Sequence, residues 1–194
     1  MLRPLQVTPP SGTPVTLTEM KTHLRIDGSD EDTLVQSYID AATSYLDGAT
    51  GILGRCLLTQ TWAVKLPSFP SADFKFPFPD VDGSAVVVKY YDSDDVEQNV
   101  AAAEYSVHEG AASAHLTFRS TYTIPSIADR DDAVSITFDA GYGAASDVPA
   151  AIRNAIMIMV ARAYQDREGV EASGGGMSRD PVYMLIAPFR RIAI

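Results

Sequence analysis

The sequence predicts an α+β protein in which N- and C-terminal helices pack together as a small bundle, with an antiparallel β module inserted between them. Three observations carry this prediction. Near both ends of the chain, apolar residues recur at steps of three and four, the period of a half-buried helix. Between Leu57 and Phe138 the composition shifts to short runs of β-branched and aromatic residues. Turn signals such as Asp82-Gly83 and Glu109-Gly110 separate these runs, which suits antiparallel neighbours. The implied divisions are 1–56, an N-terminal arm with two helices; 57–140, the β module; and 141–194, a helix, a Gly-rich link and a tail. The helical parts are expected to form one domain.

The opening to Val15 carries Pro4, Pro9, Pro10 and Pro14 and is expected to be an extended arm without regular structure. Thr16-Leu17-Thr18-Glu19 begins a short helix bearing Leu17, Met20 and Leu24, ending by Asp27-Gly28. Ser29 or Asp30 can cap a longer helix, whose acidic first turn suits the positive end of the macrodipole. Its apolar face is Leu34, Val35, Tyr38, Ile39, Ala42, Tyr45 and Leu46, with Tyr38 and Tyr45, like Trp62 later, expected in the core.

From Leu57 to Leu66 the chain reads as a strand. Pro67, Pro70, Pro77 and Pro79, interleaved with Phe69, Phe74, Phe76 and Phe78, forbid a central strand and predict an irregular apolar excursion. Further strands are expected at 85–91, 105–108, 115–118 and 133–138. Pro149 suits a first helical turn, and Ile152, Ile156, Met159, Val160 and Ala163 form an apolar stripe to about Glu168. Ser173-Gly174-Gly175-Gly176 then links to a last helical or extended piece, Val182 to Ile194.

Composition narrows the function classes. The chain has 194 residues, 46% hydrophobic and 21% charged, which excludes a largely disordered or collagen-like polymer. The longest apolar run, Ala155 to Ala161, is far below the ~20 residues of a membrane span. The N-terminus lacks a secretory pattern and Cys56 stands alone, so synthesis in a cytoplasm is expected. A net charge of −10 opposes the basic footprint of a free nucleic-acid binder. Residues 149–194 nevertheless hold six Arg against four acids, a hint that this segment meets a different surface from the body, that of an acidic partner.

No familiar chemistry assembles from the motifs, and neither a cofactor nor a metal is expected. His23, His108 and His115 fall on separate elements without metal-ligand spacing. No G-x-S-x-G elbow accompanies a serine, and Cys56 has no reactive-thiol signature. The acidic runs from Asp27 and Asp92 lack the glycine and glutamate of an EF-hand loop. The 174–176 glycines lack the lysine of a phosphate-binding loop. The most plausible enzymatic alternative is a hydrolase using the carboxylate pair Asp92 and Asp94.

Four stretches, in order, resemble the head-tail connector, or adaptor, family of long-tailed phages and phage-like gene transfer agents. They are Val15-Thr16-Leu17-Thr18-Glu19-Met20-Lys21-Thr22-His23-Leu24-Arg25-Ile26-Asp27 with the helix to Gly51; Leu57-Leu58-Thr59-Gln60-Thr61-Trp62; Phe138-Asp139-Ala140-Gly141-Tyr142-Gly143 with Val148 to Arg153, Ala161 to Tyr164 and Arg167-Glu168; and Leu185-Ile186-Ala187-Pro188-Phe189-Arg190-Arg191. The stretch from Pro67 to Arg130 matches least.

The resemblance implies a virion structural protein rather than an enzyme: a homo-oligomeric ring, dodecameric in the family pattern, at the head-tail interface and assembled in the host cytoplasm. Its expected partners are the portal protein and a stopper or tail-completion protein, with double-stranded DNA passing through the lumen without sequence specificity and no membrane. The alternative within the same class is a stopper or tail-completion component that contacts the tail. The expected portal-binding residues are Pro188, Phe189, Arg190, Arg191, Ile192 and Ile194, reaching out of the subunit after the glycine link. The competing expectation is a last amphipathic helix folded back on its own core.

Overall fold

The computed structural model describes residues 3–110, 113–168 and 180–191. Contacts divide the chain into a β unit drawn from residues 1–10 and 59–141 and a helical unit drawn from 11–58 and 142–194.

The helical unit contains α1 (Leu17–Leu24), α2 (Asp32–Leu46), α3 (Ala150–Gln165) and α4 (Pro181–Ile186). α1 starts where expected. The Thr16 hydroxyl accepts from the Glu19 N–H, and the Glu19 carboxylate accepts from the Thr16 N–H at 2.8 Å, a complete capping box. Arg153 of α3 reaches the same carboxylate and donates to the Pro14 carbonyl at 3.0 Å, tying both ends of the chain together. α1 stops at Leu24, before Asp27-Gly28 as expected, because Arg25 takes the left-handed conformation (φ 58°) that closes the helix. Thr16→Ala should cost about 1 kcal/mol in chemical denaturation.

At the start of α2 neither Ser29 nor Asp30 caps. The N-cap is Glu31, without a side-chain bond to the helix. Its carboxylate instead accepts from the Tyr164 hydroxyl and pairs with Arg167 at 2.7 Å, so a long-range link replaces the local cap. Asp32 pairs with Lys21 at 2.6 Å. The buried stripe Val35, Ile39, Ala42 and Leu46 meets Ile152, Ala155, Ile156 and Val160 of α3 in one core, joined by Val182 and Ile186 of α4. Leu57 and Leu58, expected to open a strand, also enter this core. The Leu57 N–H donates to the Asp47 carboxylate at 2.6 Å, and helical burial outweighs β propensity there.

The β unit has β1 (Leu5–Thr8), β2 (Gln60–Leu66), β3 (Phe74–Lys75), β4 (Val81–Tyr91), β5 (Glu97–Asn99), β6 (Tyr105–His108), β7 (His115–Phe118) and β8 (Val134–Ala140). They form antiparallel sheets with strand orders β1-β2-β8-β4-β5 and β3-β7-β6. The antiparallel module is as expected. The arm is not: residues 5–8 are a strand, with Leu5 opposite Ala63 and Gln6 opposite Trp62. The prolines flank this stretch without entering it, so every residue from 5 to 8 keeps the N–H that pairing needs. Residues 1–10 therefore group with the β unit, apart from the two helices that share the 1–56 stretch with the arm.

β8 alternates buried and half-buried positions, as a strand at the centre of a two-faced sheet should. Phe69, Phe74, Phe76 and Phe78, from the proline-rich excursion, all turn inward. Phe76 lies edge-on to Phe138 at 4.9 Å between centroids, and Phe78 packs on Trp62 at 4.9 Å.

Candidate functional site

The C-terminal segment is built on the helical unit. Asp180 caps α4 by accepting from the Val182 N–H at 2.9 Å, and Pro181 supplies the preset first-turn dihedral. Both Asp180 carboxylate oxygens accept from the Arg162 guanidinium at 3.0 Å, which pins the start of α4 to α3. The guanidinium holds the Asp180 carboxyl below its ordinary value. α4 buries Val182 and Ile186 and exposes Met184 (65%). A single 3₁₀ turn, Ala187–Phe189, follows.

Of the expected contact residues, Pro188 and Arg190 are exposed and Phe189 is half-buried against the helical core. The Arg190 guanidinium stands 5.8 Å over the Tyr183 ring. Arg191 does not reach outward. Its N–H donates to the Leu53 carbonyl at 2.9 Å, and its Cβ lies where a side chain at Gly54 would meet it at 3.3 Å. Gly54 also has φ +65°, so this close approach needs glycine. Ile192 and Ile194 lie outside the described residues, as does the 174–176 glycine link. Up to Arg191 the tail thus folds back on its own subunit, because Val182 and Ile186 gain roughly 1.5–3 kcal/mol each by burial there.

Beside α4 runs a groove of about 320 Å³ lined by Tyr45, Ile52, Met159, Tyr183 and Ile186 together with Arg190 and the Arg162–Asp180 pair. Tyr45, expected in the core, is 54% exposed here. It sits one residue off the Val35-Ile39-Ala42-Leu46 stripe, about 100° round the helix. Exposed aromatic, methionine and arginine side chains together are the usual makings of a protein contact. The offset of Tyr45 from the stripe was the signal that could have found it.

The other singled-out groups give no catalytic constellation. Asp92 Oδ1 accepts from the Asp94 and Val96 N–H groups at 3.0 Å, and Oδ2 accepts from Gln98 at 2.8 Å. The Gln98 bond, then the Val96 N–H, hold the Asp92 carboxyl below its ordinary value. Its lone pairs serve the hairpin turn, and the Asp94 side chain takes no part in that network. His108 and His115, on separate elements in the sequence, stack at 5.0 Å across β6 and β7. Among the described residues no group of three metal-capable side chains occurs, and no helix is long and apolar enough to cross a membrane.

The carboxylates of the helical unit set an acid limit. Hydrogen bonds from the Thr16 backbone and hydroxyl, then Arg153, hold Glu19 below its ordinary 4.5, and the Tyr164 hydroxyl and Arg167 do the same for Glu31. Because the folded values are lowered, the stabilisation is complete above about pH 4.5 and is lost as pH falls through them. Melting temperatures should drop on acidification below that value, and Glu19→Gln should flatten the drop.

These features define a class: a two-unit α+β chain whose helical unit carries a largely apolar groove with arginine in its lining. Comparison with known proteins gives the particular likeness. Residues 14–80 match the family model described as phage gp6-like head-tail connector protein, so the resemblance read from the sequence is borne out there. Among solved structures, the chain is similar to one in the neck of an empty GTA particle computed with C6 symmetry, at 22% identity and TM-score 0.79, covering 99% of this chain and 97% of that one. A chain of the virion of a native gene transfer agent particle matches at 23% identity and TM-score 0.76, covering 98% and 96%. One from the neck of a native GTA particle computed with C12 symmetry matches at 23% and 0.74, covering 100% and 97%. No curated protein matches the sequence.

Proposed function

We propose that this chain is a structural adaptor of a phage or gene transfer agent neck: a ring subunit between the portal vertex and the tail-completion proteins, with DNA passing through the lumen. The observation that carries the reading is the joint one of a connector family model over residues 14–80 and a neck-chain fold over 99% of the chain. The reading is a non-enzymatic one, and the use of Asp92 as a turn-former fits it.

The residues supply the physical means. Pro188, Phe189 and Arg190, with the apolar Ile192 and Ile194 beyond them, form the portal contact, and Arg191, expected in that contact too, anchors the segment through its N–H bond to the Leu53 carbonyl. An apolar, arginine-bearing segment matches a groove with acidic margins. Twelve copies of a −10 chain would carry roughly −120, which repels duplex phosphates and keeps a conduit slippery. The β unit holds more of the charge, with six Lys and Arg against thirteen Asp and Glu in residues 1–10 and 59–141.

Pull-down of the chain against portal rings and, separately, against the stopper tests the reading. Capture by the portal is expected. Capture by tail components alone would make it a stopper or tail-completion protein, and loss of a measured hydrolysis in Asp92→Ala/Asp94→Ala would return it to the enzymes.

A further inference from the structure

Among the described residues, the five-stranded sheet has an open edge at each side. β1 pairs only with β2, and all four of its residues are exposed, Leu5 at 53% and Val7 at 57%. At the other edge β5 pairs only with β4, preceded by Val96 at 52% exposure. An open edge carrying apolar side chains is a template for another strand. Pro4, Pro9 and Pro10 bracket β1 and offer no N–H, so the template is confined to residues 5–8, close to the length of β5.

We propose that β1 of one copy receives β5 of the next, so that the sheets join head to tail around the ring; this rests on the ring reading above. The strand directions favour that occupant. Each neighbour from β1 through β2, β8 and β4 to β5 is antiparallel, so β5 runs the same way as β1. A twelvefold operator turns any direction by at most about 30°, so the junction between successive copies is parallel. The ordinary strand-to-strand twist of roughly 20–25° accommodates it.

Charge agrees with direction. In a parallel junction the two N-terminal ends lie side by side, which sets exposed Arg3 beside exposed Asp94 at the hairpin tip, where Asp95 already pairs with Arg130 at 2.8 Å. Residues 1–18 contain Arg3 and no acid. Leu5 then lies alongside Val96 and Glu97. Through the register Leu5–Ala63–Thr137–Val87, and from Lys89 to Asn99, Leu5 shares a sheet face with Asn99 and with Glu97, two residues before it. Two β1 edges could meet only as an antiparallel twofold pair, which closes a dimer and not a ring.

The test is cross-linking of the full-length chain assembled on portal rings. Leu5→Cys/Glu97→Cys, treated with a short bismaleimide, should give a ladder of multimers up to the closed ring; each single variant should stay monomeric on the gel. Cys56 is buried and the unmodified chain is the control. Leu5→Asp should raise the concentration for half-assembly at least tenfold with an unchanged melting temperature, and Asp94→Arg should restore part of the loss caused by Arg3→Glu. A dimer from Leu5→Cys alone, or rings of normal mass without a ladder, would overturn the proposal and leave the ring reading standing. Failure of the unmodified chain to form rings would remove both.

Discussion

Deleting residues 188–194 should leave a folded subunit that no longer joins portal rings. α4 keeps its own anchors after the cut: the Asp180 cap, the Arg162 pair and the burial of Val182 and Ile186. Among the described residues, what is lost on the subunit itself is the half-buried Phe189 and the Arg191 N–H bond to Leu53, together about 1–3 kcal/mol. What is lost for assembly is the whole proposed contact. Co-sedimentation with portal rings should therefore fall to background while the far-ultraviolet dichroism is unchanged. Normal co-sedimentation of the truncated chain would place the portal contact elsewhere, with the Tyr45 groove as the first place to look.

Phe138→Ala should be among the most damaging single substitutions in the β unit, costing about 3–5 kcal/mol. Phe138 is fully buried on the central strand β8, edge-on to Phe76 and 6.4 Å from Phe78. The cavity cannot close easily, because β8 is held between β2 and β4 and neither neighbour can move inward without breaking its ladder. Urea denaturation should show the midpoint shift. A cost below about 1 kcal/mol would mean that the proline-rich excursion carrying Phe76 and Phe78 collapses into the space.

Local patterns carried much of this fold into the sequence. The capping box at Thr16 and Glu19, the stripe Val35-Ile39-Ala42-Leu46 and the alternation of β8 depend on neighbours within a few residues, and each was legible. The misses share a cause: a distant partner overrides a local preference. Leu57 and Leu58 have strand chemistry but find a helical core. Glu31 forgoes capping for Tyr164 and Arg167. The proline-rich arm becomes a strand because β2 offers it an edge. The tail residues 188–191 were singled out by composition, but whether they reach out or fold back depends on the Leu53 carbonyl and the space at Gly54. Tyr45 was assigned to the core because a heptad-like spacing does not resolve an offset of one residue at the stripe's margin.

The most direct test of the adaptor account is the mass of the purified full-length chain in solution by light scattering, alone and mixed with the cognate portal. The account predicts a species that gains the mass of a complete ring when portal is added. A compact monomer whose mass is indifferent to the portal would contradict it.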